Sequence, residues 1–97
     1  MYSNMKARLL LHERHVVAAD AFAELLVWQV PKPVIGSHHL LKYSLAYIIG
    51  GTCVLRYDNE AGKGDHRHVG GAEEPYRFTM PDRLLADFWK DVDRWKP

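Results

Sequence analysis

Apolar and polar residues alternate with period two over the first third of the chain. From Lys6 to Val17, Ala7, Leu9 and Leu11 fall on one side. Lys6, Arg8, His12 and Arg14 fall on the other, with Leu10 among them. That is the pattern of a half-buried strand. Ala18-Ala19-Asp20 reads as a turn. Ala21 to Val30 continues as a second strand with Phe22, Leu26, Trp28 and Val30 on one face and Glu24 as the exception. The two would pair as an antiparallel hairpin; a helix over Ala18 to Leu26 is the rival assignment, because alanine and leucine favour it.

Pro31, Pro33, Gly36 and Ser37 mark a loop that ends at His38 and His39. Leu40 to Ile49 and Thr52 to Asp58 follow as strands, with only Gly50-Gly51 between them. Glycine accepts the positive φ of a tight hairpin turn, so this is a strong hairpin signal. A tight turn sets Ile49 opposite Thr52, Tyr47 opposite Val54, Leu45 opposite Arg56 and Tyr43 opposite Asp58. Ile48, Cys53, Ala46, Leu55, Ser44, Tyr57 and Lys42 would then share the other face.

Asn59 to Gly71 reads as a polar loop with four glycines, and Pro75 to Phe78 as a short last strand. Thr79 is placed to cap a helix, with Pro81 in its first turn and Asp82 as the capping-box acid. Leu84, Leu85, Phe88, Trp89, Val92 and Trp95 recur at helical spacing, so this helix packs on the sheet. The expected fold is α+β: four to five antiparallel strands with a C-terminal helix on one face.

With 97 residues the chain forms one domain, with residues 1–5 expected as a flexible tail. A hydrophobic fraction of 47% and a charged fraction of 26% suit an ordinary globular core. The net charge of +1 excludes a bulk polycation, so nucleic acid must be met by a local patch or by the six histidines. The lone Cys53 lies in an apolar run and reads as a buried small hydrophobe. One cysteine excludes an internal disulfide and fits a reducing cytoplasm. No secretory signal or membrane-length apolar stretch is evident.

Chemistry concentrates between Tyr57 and Gly71. His66 and His68 are two apart, so in an extended segment both side chains point the same way. Two imidazoles on one face suit paired acid–base catalysis near neutral pH or a transition metal. A third ligand would come from Asp65, Asp58, His38 or His39. Lys63 and Arg67 are candidate phosphate-binding cations, and Gly62 and Gly64 let backbone N–H groups approach an anion. Asp65 or Asp58 could orient a histidine. Antiparallel pairing brings Lys42, Tyr43 and His39 near this loop. A solvated loop with mutually cancelling charges is the bland alternative.

The run Leu55-Arg56-Tyr57-Asp58-Asn59, followed by Gly62-Lys63-Gly64-Asp65-His66-Arg67-His68, resembles the TumE family of bacterial toxins. Lys6-Ala7-Arg8-Leu9-Leu10-Leu11, Glu74-Pro75-Tyr76-Arg77-Phe78 and Leu85-Ala86-Asp87-Phe88-Trp89 carry the likeness over residues 6–95. The resemblance implies a cytoplasmic ribonuclease toxin with an antitoxin that carries a helix-turn-helix domain. Its implied targets are RNA and that antitoxin, with no membrane; homodimerisation stays open. On this reading His66, His68, Tyr57 and Asp65 are the candidate catalytic groups, and Lys63, Arg67, Arg56 and Lys42 the RNA-binding ones. Asp58, Asn59, Gly62, Gly64 and Tyr43 support them. The expected mechanism needs no metal or cofactor: one histidine takes the 2′-OH proton, and the other, or Tyr57, protonates the leaving oxygen. Metal-dependent cleavage and a non-catalytic interaction protein are the alternatives.

Overall fold

The computed structural model describes residues 6–60 and 62–95. The tail expected at residues 1–5 lies outside them. Six antiparallel strands follow one another as a meander: β1 (Arg8–Ala18), β2 (Ala21–Gln29), β3 (Leu41–Ile49), β4 (Thr52–Asp58), β5 (His66–Val69) and β6 (Ala72–Pro75). One helix, α1 (Pro81–Asp93), lies across one face. The fold is α+β with six strands, slightly more than the four to five expected. Ala18 to Leu26 is not helical: its alternation is satisfied by pairing with β1 and β3 on either side.

Beneath α1, Ala23, Leu25, Tyr43, Leu45, Leu55 and Tyr57 meet Leu84, Phe88 and Val92 in one buried cluster. The core face of β2 is therefore Ala21, Ala23, Leu25 and Val27, while Phe22, Leu26 and Trp28 are half-buried on the reverse face. The helix starts without the expected Thr79 cap: Met80 holds the N-cap position, extended and with no side-chain capping bond, and Pro81 opens the first turn. Cys53 is exposed, not buried, because it sits beside the hairpin turn at the sheet's rim.

One irregularity decides what the open face carries. The register starts as expected, with Ile49 opposite Thr52 and Ile48 opposite Cys53, then shifts by one residue. Tyr47 pairs with Leu55, Ala46 with Arg56, Leu45 with Tyr57 and Ser44 with Asp58. Val54 is the extra residue of a β-bulge, which turns every later side chain of β4 to the opposite face. Leu55 and Tyr57 thereby enter the core beside Tyr43, Leu45 and Tyr47, instead of sharing the face of Ala46 and Ile48. Arg56 and Asp58 turn to the open side.

Gly70-Gly71 repeats the Gly-Gly hairpin, so part of the expected loop is sheet: His66 pairs with Asp58 and Pro75, Arg67 with Tyr57 and Glu74, and His68 with Arg56 and Glu73. The last strand is accordingly Ala72–Pro75 and not Pro75 to Phe78. Among the described residues no helix is long and apolar enough to cross a membrane.

Candidate functional site

Cross-strand register places Asp58, His66 and His68 on the face that α1 leaves open, with Arg56 and Glu73 as their neighbours. One ligand atom from each of Asp58, His66 and His68 lies within 4.8 Å of the others. His66 is 4% exposed, whereas the side chain of His68 is 40% exposed. The rings meet edge-on with centroids 5.0 Å apart. His66 is thus the floor of the cluster and His68 its solvent-facing side.

The hydrogen bonds of His66 define its chemistry. Its Nδ1 stands 2.9 Å from the Gly64 carbonyl oxygen. A carbonyl only accepts, so Nδ1 carries the proton. In the neutral ring Nε2 then presents a lone pair, and Asp58 Oδ1 lies 2.6 Å from it. At that distance two lone-pair atoms repel, and the repulsion is relieved by a proton or by a metal ion that both atoms bind from one side. The contact is not aligned as an N–H···O hydrogen bond, and Oδ1 is a buried oxygen without a hydrogen-bond donor. Glu73 Oε2 adds a fourth polar group, 3.5 Å from His66 Nε2 and 3.7 Å from His68 Nε2.

Asp65 belongs to a different, structural group. Its Oδ1 accepts from Ser37 Oγ at 2.7 Å, and its Oδ2 accepts from Tyr43 Oη at 2.6 Å and from His39 Nε2 at 2.7 Å. His39 Nδ1 accepts the Leu41 N–H, which fixes the tautomer that donates to Asp65. Fully buried Asn59 completes the latch: its Oδ1 accepts the Tyr43 N–H, and its Nδ2 donates to the Leu41 carbonyl and to Ser37 Oγ. Together they fasten the loop of residues 30–40 to the segment that carries Gly64 and His66.

Burial pushes the Asp65 carboxyl up, but the hydrogen bonds from Tyr43, Ser37 and His39 outweigh it and hold the group below its ordinary value of 3.8. A depressed folded value contributes stability that is complete above 3.8 and is lost as pH falls through the folded value. The urea midpoint of the wild type should therefore fall more steeply than that of Asp65→Asn between about pH 5 and about pH 3. Parallel curves for the two proteins would contradict this role.

The sequence-predicted residues divide between two faces. Tyr57 and Arg67 lie under the helix, away from the histidines: Tyr57 donates to Asp91 Oδ2, and Arg67 donates to the same oxygen at 2.8 Å. Burial, then the bond to Asp91, pushes the Tyr57 hydroxyl above the ordinary phenol range. It stays a hydrogen-bond donor in the core and is poorly suited to give up its proton. Lys63 reaches Glu73 at 3.2 Å and stands at the cluster's edge. Lys42 lies on the open face, 3.9 Å from Glu60. Gly62 and Gly64 have φ of 75° and 82°. Sequence reasoning missed Glu73, Ser37 and Gly36. Glu73 was reachable, because the second Gly-Gly pair sets it opposite His68.

The fold and site define a small open-faced sheet protein with a histidine–carboxylate cluster. The family model described as Toxin TumE matches residues 6–96, and the chain belongs to that toxin family. Membership supports a toxin role and implies a cognate antitoxin as partner. No curated protein and no solved structure matches the chain.

Proposed function

We propose that this toxin is a ribonuclease whose reaction centre is the Asp58–His66–His68 cluster acting with a divalent metal ion. The observation that carries the metal is the buried Asp58 Oδ1, which has no aligned donor although His66 Nε2 is 2.6 Å away. A hydrogen bond needs that oxygen on the axis of the ring nitrogen. A metal ion on the same axis needs its other ligands off it. The Nδ1–H to carbonyl bond of His66 is the support that metal-ligating histidines use to fix their tautomer. Two imidazoles and a carboxylate suit a first-row transition ion such as Zn²⁺ or Mn²⁺, and the exposed side of His68 leaves the centre open to solvent and substrate. Such an ion lowers the pKa of bound water and offsets charge that develops on a phosphate. Arg56, 44% exposed beside Asp58, is placed to hold the substrate's phosphate. RNA as the polymer is what the family resemblance implies.

A metal-free reading rests on the half-exposed His68. There His68 takes the 2′-OH proton, the O2′–P bond forms, the P–O5′ bond breaks, and the leaving oxygen is protonated from solvent. Direct acid–base pairing with His66 is disfavoured by that ring's burial.

Labelled RNA incubated with the purified protein separates the readings. The expected result is cleavage that stops with EDTA, returns with added Mn²⁺ or Zn²⁺, and is absent from the His66→Ala/His68→Ala variant. Cleavage that survives EDTA and leaves 2′,3′-cyclic phosphate ends would establish the metal-free route. A folded protein that arrests growth in cells but cleaves no RNA in either condition would overturn the ribonuclease reading in favour of an interaction protein.

A further inference from the structure

Beside the cluster lies a cleft of about 400 Å³ whose lining includes His38, His39, Lys63, Arg77 and Phe78. The proposed chemistry uses none of the aromatic groups there. Phe78 stacks on His39 with ring centroids 3.8 Å apart and an interplanar angle of 23°. Tyr43 lies nearly parallel to both, with centroids 6.2 Å away. This ladder is set before any ligand arrives, since both nitrogens of His39 are hydrogen-bonded, to the Leu41 N–H and to Asp65. A pre-set platform loses little conformational freedom when a ligand stacks on it.

The rim of the cleft carries two cations, Arg77 and Lys63. Arg77 and His38 are exposed, and neither has an ion pair or hydrogen bond among the described residues. Lys63 joins the cleft to the cluster: it bonds Glu73, the same carboxylate that stands near His66 and His68. The Asp65 carboxylate within the cleft is engaged by three donors, Ser37, His39 and Tyr43, so its oxygens are held in the protein's own network and do not pair with Arg77 or Lys63.

Flat aromatic surface bordered by free cations is how proteins hold unpaired nucleotides: the base stacks and the backbone phosphate meets the charge. An unpaired base is required, because a duplex hides its faces. We propose that this cleft is a binding subsite for single-stranded RNA, in which one base stacks against Phe78, a neighbouring phosphate meets Arg77, and Lys63 leads the strand to the histidine cluster. The identity of the polymer rests on the ribonuclease reading; the stacking geometry does not.

The test uses a fluorescein-labelled 2′-O-methyl oligoribonucleotide, which cannot undergo attack by its own 2′-oxygen, in fluorescence anisotropy with the metal left out. Phe78→Leu keeps apolar bulk and should weaken binding about tenfold, while Phe78→Trp should retain it. Arg77→Gln should weaken binding and reduce the salt slope by about 0.7. Circular dichroism checks that each variant is folded. Wild-type binding that is unchanged in both Phe78→Leu and Arg77→Gln would overturn the subsite, even if the wild type cleaves RNA. Equal binding of a duplex would also overturn it. Weakened binding in the variants, with no cleavage of ordinary RNA by the wild type, would uphold the subsite and reject the ribonuclease reading instead.

Discussion

Replacing Gly36 with alanine is expected to destabilise the protein by about 3 kcal/mol, the upper range for a single strained backbone position. Gly36 has φ +91°, and a Cβ there would stand 2.5 Å from the Gly64 nitrogen and 2.9 Å from its Cα. Both neighbours are backbone, so no side chain can swing aside. Gly64, with φ +82°, meets the same wall from the other side, where a Cβ would lie 2.7 Å from the Gly36 oxygen. The damage reaches the site by a short route. The Gly64 carbonyl accepts from His66 Nδ1, so displacing that carbonyl frees the ring that faces Asp58. A urea melt of Gly36→Ala should show a lower midpoint, and any folded fraction should cleave RNA poorly. Gly62→Ala is the control: its φ of +75° carries strain, but nothing lies within 4 Å of the added carbon. It should cost about 1 kcal/mol, from the unfavourable left-handed conformation alone. Equal losses in the two variants would show that the Gly36–Gly64 contact contributes nothing.

Much of this architecture is legible in the sequence because it depends on local pattern. The Gly50-Gly51 hairpin, the period-two strands and the apolar stripe of α1 all follow from neighbours in the chain. His66 and His68 are brought to one face by the pleat of β5, as the two-residue spacing requires. What was not legible is long-range. The bulge at Val54 leaves no mark in residue type, since Val is an ordinary strand residue. Yet it reverses the faces of Leu55 and Tyr57, and it carries Asp58 to the histidines instead of under the helix. The separation of Asp65 from His66, though adjacent in sequence, also follows from the pleat, which sends one toward Tyr43 and the other toward Asp58. Tyr57 and Arg67 attract attention by chemistry alone. Only the partner Asp91, on α1, shows that they form a buried polar contact between sheet and helix.

The Asp58→Asn substitution should separate stability from function by moving them in opposite directions. Asp58 Oδ1 is buried and has no aligned donor, and it lies 2.6 Å from His66 Nε2, which carries a lone pair in the neutral ring. An asparagine has nearly the same shape and can turn its amide N–H toward that lone pair. It removes a buried anionic oxygen and supplies a donor, so the variant should be more stable than wild type by about 1 kcal/mol. The contact with Arg56, 3.9 Å away and half-exposed, opposes this gain only weakly. Function should go the other way. Losing one anionic donor from the cluster should weaken Zn²⁺ or Mn²⁺ binding by at least about a hundredfold, read by isothermal titration, because even supporting groups around metal ligands cost 10–100-fold. Metal should then raise the melting temperature of wild type strongly and of Asp58→Asn hardly at all, since stabilisation follows ligand affinity. This is the behaviour of a residue kept in an unfavourable environment for its reactivity. A variant that is less stable without metal, and still gains stability from it as wild type does, would place Asp58 among structural ion pairs and remove the metal from the mechanism.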